Sequence, residues 1–334
     1  MKFRVLSLAL SLAVSAASCN DLAKLTVAGT TITSAQLVSR GAFRPPAAGR
    51  APSVEMFSAF DRLAPFCRVQ AVAAPSPGSH IELEVWLPAS GWNGKLLGAG
   101  NGGYGGSISY FRLGEAIDSG YAGAATDTGH KAAASTDATW AAGHPDAQDD
   151  FDHRAVHAMT VLAKAAIREL YGKPPDHSYF NACSNGGRQG LMEAERYPND
   201  YDGILAGAPA IRFGFRTFLT GDLDAFRKRG GKLILYHGGN DRPQRSIDYS
   251  KKLQRDFAQL YIVPGMGHCG SGPVPNDVGQ WLRPGADPKH SLLKALERWV
   301  ERGVAPDRVV ATQYKTDGDA ASGVLRRKTL LPYR

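Results

Sequence analysis

Ser184, Asp241 and His268 stand in the chain in the order nucleophile, acid, base. A serine hydroxyl attacks a carbonyl only when an imidazole within hydrogen-bond reach takes its proton and a carboxylate orients that imidazole. Ser184 sits in Ala182-Cys183-Ser184-Asn185-Gly186-Gly187, between the apolar run "HSYFNAC" and the helical pattern "GGRQGLMEAERYP". A reactive serine needs small residues where strand and helix cross closely, and Ala182, Gly186 and Gly187 supply them. Asp241 follows the run "KLILYHGG" and His268 follows "LYIVPGMG". Among rival histidines, His237 reads as a buried polar group within its strand. His130 and His144 precede the serine in loops, His153 and His157 fall on a helix flank, and His290 precedes the last helix. Asp248 and Asp256 follow no strand and read as helix-surface acids.

Acyl transfer also needs amide donors for the oxyanion. The amide of Asn185, next to the nucleophile, is one. The second is expected in "GAGNGGYGG", 98–106, at Gly103, with Gly102 as its neighbour. Read alone, the glycines would be a flexible loop. They lack the lysine and hydroxyl of a phosphate cradle and the acidic partner of a dinucleotide site, so no cofactor is expected. Four cysteines, at 19, 67, 183 and 269, allow three pairings. If Ser184 and His268 touch, their neighbours Cys183 and Cys269 are brought together, which leaves Cys19 with Cys67. The competing reading is a free nucleophilic Cys183. "GHPDAQDDFDHR", 143–154, collects aspartates and histidines without tight ligand spacing; it reads as a solvated loop and helix start, and no metal is expected.

These residues need a scaffold that places loops at the carboxyl ends of parallel strands. "HIELEVWLP", 80–88, alternates as an exposed or edge strand does. Runs at 94–100, 120–129, 177–183, 202–209, around 232–239 and 259–268 read as strands. Helices are expected over 153–171, closed by Gly172, over 186–198, and over 291–303. Strands alternating with helices predict an α/β fold with a mostly parallel sheet covered on both faces. The order serine, acid, histidine is that of the α/β-hydrolase fold. Residues 19–60 and the C-terminus read as irregular, with "RPPAAGRAP" at 44–52.

The 334-residue chain is 43% apolar and 21% charged, ordinary for a globular protein. Residues 1–18 read as a secretory signal: Lys2 and Arg4, an apolar stretch too short to span a bilayer, then Ala16-Ala17-Ser18. Cys19 after small residues leaves a lipoprotein as the alternative. Residues 19–334 are expected to form one catalytic domain, and the product is expected to be secreted or periplasmic. The net charge of +8 is spread along the chain. The one basic run, "RKRGGK" at 227–232, reads as a solvated helix end, so no nucleic-acid partner is expected and no membrane span is present.

Taken together, "FCRV", "LPASGWNGKLLGAGNGGYGG", "TDTGH", "DFDHRAVHAMT", "HSYFNACSNGGRQGLMEAERYPNDYDGILAGAPA", "AFRKRGGKLILYHG" and "VPGMGHCGSGP" resemble the tannase and feruloyl esterase family of α/β-hydrolases. The resemblance covers most of residues 60–312. It implies a Cys-Ser, Asp, His-Cys site with the cysteines bridged, carried here by Cys183-Ser184, Asp241 and His268-Cys269, and hydrolysis of small-molecule phenolic esters. It also implies a lid domain, often with calcium, after "AGAPA". Here residues 211–222 alone fill that place, "RPQRS" follows Asp241, and "TLLPYR" lacks the cysteine of many members. The expectation is a lidless serine esterase with an open site and broad, short-chain or phenolic ester specificity. A polyester or lipid hydrolase, or a non-catalytic remnant, is the alternative.

Overall fold

The computed structural model describes residues 17–46, 60–132 and 134–334. The expected signal segment therefore lies almost wholly outside the described residues, as does most of 44–52. Nine strands form one sheet in the order β1-β2-β3-β5-β4-β6-β7-β8-β9. They are β1 Thr30–Val38, β2 Phe66–Ala73, β3 Ile81–Pro88, β4 Lys95–Ala99, β5 Ala122–Thr126, β6 His177–Cys183, β7 Gly203–Gly207, β8 Lys232–Gly238 and β9 Ala258–Val263. From β5 through β9 the neighbours run parallel, and β1, β2 and β3 join antiparallel.

The parallel strands read as unbroken apolar runs because both faces are covered. Successive residues feed opposite cores. Leu96, Phe180, Ile204, Leu233 and Leu235 pack with the helix Ala155–Tyr171 and with Leu191 and Ala194 of the helix Asn185–Arg196. Leu97, Tyr179, Leu205, Ile234 and Tyr236 pack with the helix Leu292–Arg302. The helix ends obey local chemistry. Gly172 and Gly303 adopt φ of 71° and 68°, a left-handed stop that costs a glycine little. The Ser291 hydroxyl accepts the Lys294 amide at the start of the last helix.

Three sequence expectations change. Strand β3 is not an exposed or edge strand; it lies between β2 and β5. Its alternating acids mislead because Glu84 is buried with its partners. Arg68 donates to it through Nε at 2.9 Å and Nη2 at 2.5 Å, Trp86 Nε1 at 2.8 Å and Tyr110 Oη at 3.1 Å. The supposedly irregular N-terminal stretch contains β1, the sheet's edge. The C-terminus is a hairpin, β10 Val309–Thr316 and β11 Asp319–Leu330, turning at Asp317-Gly318, with Gly318 at φ 77°. Asp-Gly between strands is a hairpin signal in its own right.

Removing one partner of a buried ion pair leaves the other charge stranded. Glu84→Ala is expected to destabilise the protein by about 3–5 kcal/mol, read from urea unfolding. Joining it to Arg68→Met should recover most of that loss.

Candidate active site

Ser184 follows β6 and caps the helix Asn185–Arg196 with φ 64° and ψ −124°, a conformation L-residues avoid. Its amide donates to Gly207 O at 2.9 Å, and its carbonyl accepts from Arg188 N and Ala210 N, both at 3.1 Å. A Cβ on Gly187 would stand 2.4 Å from Gly207 O, and one on Gly186 2.5 Å from the Ala182 methyl. The strand–helix crossing thus tolerates Ala182 because Gly186 faces it. The helix start leaves unpaired amides and the positive end of the helix dipole beside the serine.

Asp241 lies past β8, and its Oδ2 is 2.6 Å from His268 Nδ1. The expected Asp-His contact is therefore present, with the His268 side chain 53% exposed. Cys183 is bonded to Cys269, with Cα atoms 5.9 Å apart. That bond sets the residues next to Ser184 and His268 side by side. Cys19 is bonded to Cys67, so the thiol a lipoprotein would acylate is engaged, and no described cysteine is free. Cys183 is consequently not a free nucleophile. The Ser184 hydroxyl makes no hydrogen bond among the described residues; such contacts are often long before substrate binds.

The glycine-rich loop lies against the start of the serine helix. Gln189 Oε1, from that helix, accepts the Asn101 amide at 2.9 Å, and Asn101 Nδ2 donates to Ser107 O and Thr126 O. Gly103 has φ 53°, and a Cβ there would fall 2.1 Å from Ser135 O. Its being glycine is thus required by the fold as well as compatible with an oxyanion role. Behind the loop, Gly106 N donates to Asp127 O at 3.0 Å. Burial pushes the Asp127 carboxyl up to about 6, although Lys131 lies 3.1 Å away.

Most of the rival groups are occupied elsewhere. His130 stacks on Trp140 at 3.5 Å, and burial pulls it down to about 4. His153 Nδ1 meets Tyr197 Oη, His157 meets Asp200, and His290 meets Asp287. Asp248 and Asp256 pair with Lys251 and Arg227 at the surface. The basic run at 227–232 is likewise paired: Lys228 with Asp224, and Arg229 with Asp202. His237 is more than a buried polar group. Its Nε2 is 3.0 Å from Asp241 O and 3.1 Å from Asp241 Oδ2, and its Nδ1 is 2.8 Å from Ser246 Oγ. Burial lowers its pKa, so it stays neutral and braces the acid. Its place at the end of a strand, four residues before Asp241, was the available signal.

The acidic stretch 143–154 is not a solvated loop throughout. Asp150 and Asp152 are fully buried, on a π-helical turn Asp150–Arg154. Asp150 pairs with Arg154 at 2.7 Å. Arg188, also fully buried, donates to Phe151 O and Asp152 O, and burial lowers it to about 10, still charged at neutral pH. Elsewhere, ligand atoms of His157, Glu193 and Asp200 lie within 4.8 Å of one another. Burial, then the neighbouring Asp200, raises the Glu193 pKa far above the usual carboxyl range.

A mostly parallel sheet with helices on both faces, a strained serine after β6, and an acid and a histidine after β8 and β9 make this an α/β-hydrolase. More narrowly, the chain belongs to the tannase and feruloyl esterase family, whose sequence profile matches residues 67–221 and 216–334. It is a carboxylic-ester hydrolase of that family. An uncharacterized esterase of Xanthomonas campestris is 26% identical, covering 97% of this chain and 89% of that protein. A probable feruloyl esterase B-2 of Aspergillus terreus is 37% identical, covering 80% and 82%. The crystal structure of feruloyl esterase B from Aspergillus oryzae shares the fold, with a TM-score of 0.81 at 22% identity, covering 94% of this chain and 95% of that one.

Replacing Cys183 and Cys269 together by serine opens a loop with a sequence separation of 86. The expected loss of stability is about 4–5 kcal/mol in the chain-entropy picture, measured by urea unfolding. Mild reduction of the native protein should lower ester hydrolysis before far-UV circular dichroism changes. Simultaneous loss of both would show that the bond supports only the fold.

Proposed function

We propose that Ser184, His268 and Asp241 are the nucleophile, base and acid of a serine esterase. His268 Nε2 takes the Ser184 proton as Oγ attacks the ester carbonyl, and Asp241 holds Nδ1–H and stabilises the imidazolium. The tetrahedral oxyanion is received by the amides of Asn185 and Gly103. Collapse breaks the bond to the alcohol, which leaves with the proton from His268. Water, deprotonated by His268, then attacks the acyl-serine and releases the acid. The observation that carries this reading is the 2.6 Å Asp241–His268 contact, tied beside Ser184 by the Cys183–Cys269 bond.

The substrate class proposed is a small ester, phenolic or short-chain, bound in a site without a lid domain. Two facts support the shortening. The profile matches meet at residues 216–221, and the alignment to the Xanthomonas protein runs over 522 positions against 334 residues here. The feruloyl esterase names of the relatives support the phenolic part. We place the protein outside the cytoplasm, secreted or periplasmic, since two disulfides persist best in an oxidising compartment. Among the described residues no helix is long and apolar enough to cross a membrane.

Ser184→Ala should abolish hydrolysis of p-nitrophenyl acetate and labelling by a fluorophosphonate probe, with an unchanged melting temperature. Residual turnover above background would move the nucleophile elsewhere. Asp241→Asn should fold and lose roughly four orders of magnitude in kcat, because the histidine tautomer is no longer enforced. Wild-type-like rates would remove Asp241 from the site.

A further inference from the structure

Residues 211–222 are not a slack connector. The Asp152 carboxylate accepts three consecutive amides: Phe215 N at 3.0 Å, Arg216 N at 2.6 Å and Thr217 N at 2.7 Å. Glu195 accepts Thr220 N and Gly221 N at the other end. The segment begins at the nucleophile, since Ala210 N donates to Ser184 O and Phe213 N to Ala210 O. Of its three phenyl rings Phe218 is exposed, while Phe213 and Phe215, both half-buried, meet the glycine-rich loop: Tyr104 lies 4.6 Å from Phe213 and 5.7 Å from Phe215, centroid to centroid. Trp140 closes on Phe215 at 5.2 Å. The rings thus lie where the segment that starts at Ser184 O meets the glycine-rich loop, and both also pack on Phe151.

An irregular segment of this length would ordinarily sample many conformations, and half-exposed phenyl rings on it would collapse or wander. A buried carboxylate taking three amides prevents that, because releasing it would strand a charge and three donors. Arg188, on the serine helix, holds the Phe151 and Asp152 carbonyls and so couples the arrangement to the nucleophile.

We propose that Asp152 is a positioning residue for substrate selection: it fixes Phe213 and Phe215 as a rigid wall, with Tyr104 and Trp140, that receives the flat acyl group of an aromatic ester where the chain has no lid to do so. The proposal rests on Ser184 as the reactive centre. Discrimination by such a wall enters through stacking and apolar contact, so it is read in KM for a large acyl group.

The test compares methyl ferulate with p-nitrophenyl acetate. In Phe215→Ala the ratio of kcat/KM for ferulate to that for acetate should fall at least about tenfold, the cost of one lost aromatic contact, chiefly through a higher KM for ferulate. Phe215→Tyr should keep the ratio near the wild-type value. Asp152→Asn, whose amide can turn only one acceptor toward the three N–H groups, should lower the ratio in the same direction with Phe215 intact. If Asp152→Asn does not fold, Phe215→Ala decides alone. Equal slowing of both esters in the variants, or an unchanged ratio, overturns the wall. A wild-type protein that hydrolyses neither ester would instead overturn the reading of Ser184.

Discussion

The bond between Cys183 and Cys269 settles a distance the sheet would otherwise leave open. Ser184 follows β6 and His268 follows β9, and β7 and β8 lie between them. Three strand spacings of about 4.8 Å put those ends roughly 14 Å apart. Asp241 follows β8, next to β9, so its contact with His268 is what neighbouring strands would provide. The serine is the distant partner. Bringing the Cys183 and Cys269 Cα atoms to 5.9 Å folds the histidine loop back across two strands.

Backbone strain follows the same geography. Among the described residues, the non-glycine residues with positive φ are Thr128, Ser184, Ala208, Arg242 and Cys269. Each lies in the segment that follows one of β5, β6, β7, β8 and β9, at the carboxyl edge of the parallel sheet. A left-handed L-residue costs about 1–2 kcal/mol, and it persists where surrounding contacts over-determine it. Those contacts are visible: Gly207 O and Ala210 N on Ser184, Tyr236 O on the Ala208 amide, His237 on Asp241, and a covalent bond on Cys269. The opposite edge of the sheet shows no such residue. The strain therefore marks the face where side chains must be aimed.

Much of this face was legible before any coordinates. Small residues around Ser184, the order of Ser184, Asp241 and His268, and the cysteines beside two of them are local features, and local features survive in a sequence. Helix ends at Gly172 and Gly303 were legible for the same reason. What escaped depends on partners distant in the chain. Glu84 looks solvated until Arg68 and Trp86 surround it. Asp152 looks like one more acid in a polar stretch until the amides of 215–217 converge on it. His237 looks incidental until Asp241 folds back four residues. In each case a polar residue was read by its type, while its burial was set by who satisfies its hydrogen bonds. The C-terminal hairpin is different: Asp317-Gly318 was a local signal, and exposure along β11 masked it, because a strand solvated on most of its length lacks alternation.

The surroundings of Ser184 have two unlike sides. Toward residues 211–222 the backbone is clamped by Asp152 and Glu195, and the side chains facing the glycine-rich loop are aromatic. Toward His268 the imidazole is 53% exposed, and the loop that follows it is braced by Arg326 on Pro273 O and by Asn276 on Asp317, contacts from the hairpin β10–β11. With Ser184 as the proposed nucleophile, an ester lying across it would meet apolar surface at one end and water at the other. On the proposed reading, binding energy from the apolar end would favour an acyl group that is flat and held, and the alcohol would leave from beside His268 into solvent. On the proposed mechanism, a site without a roof would exclude little water from the oxyanion, so the amides of Asn185 and Gly103 would act in a higher dielectric than a covered site gives. A site of the proposed kind would gain selectivity from one rigid wall and give up some of the rate that enclosure provides.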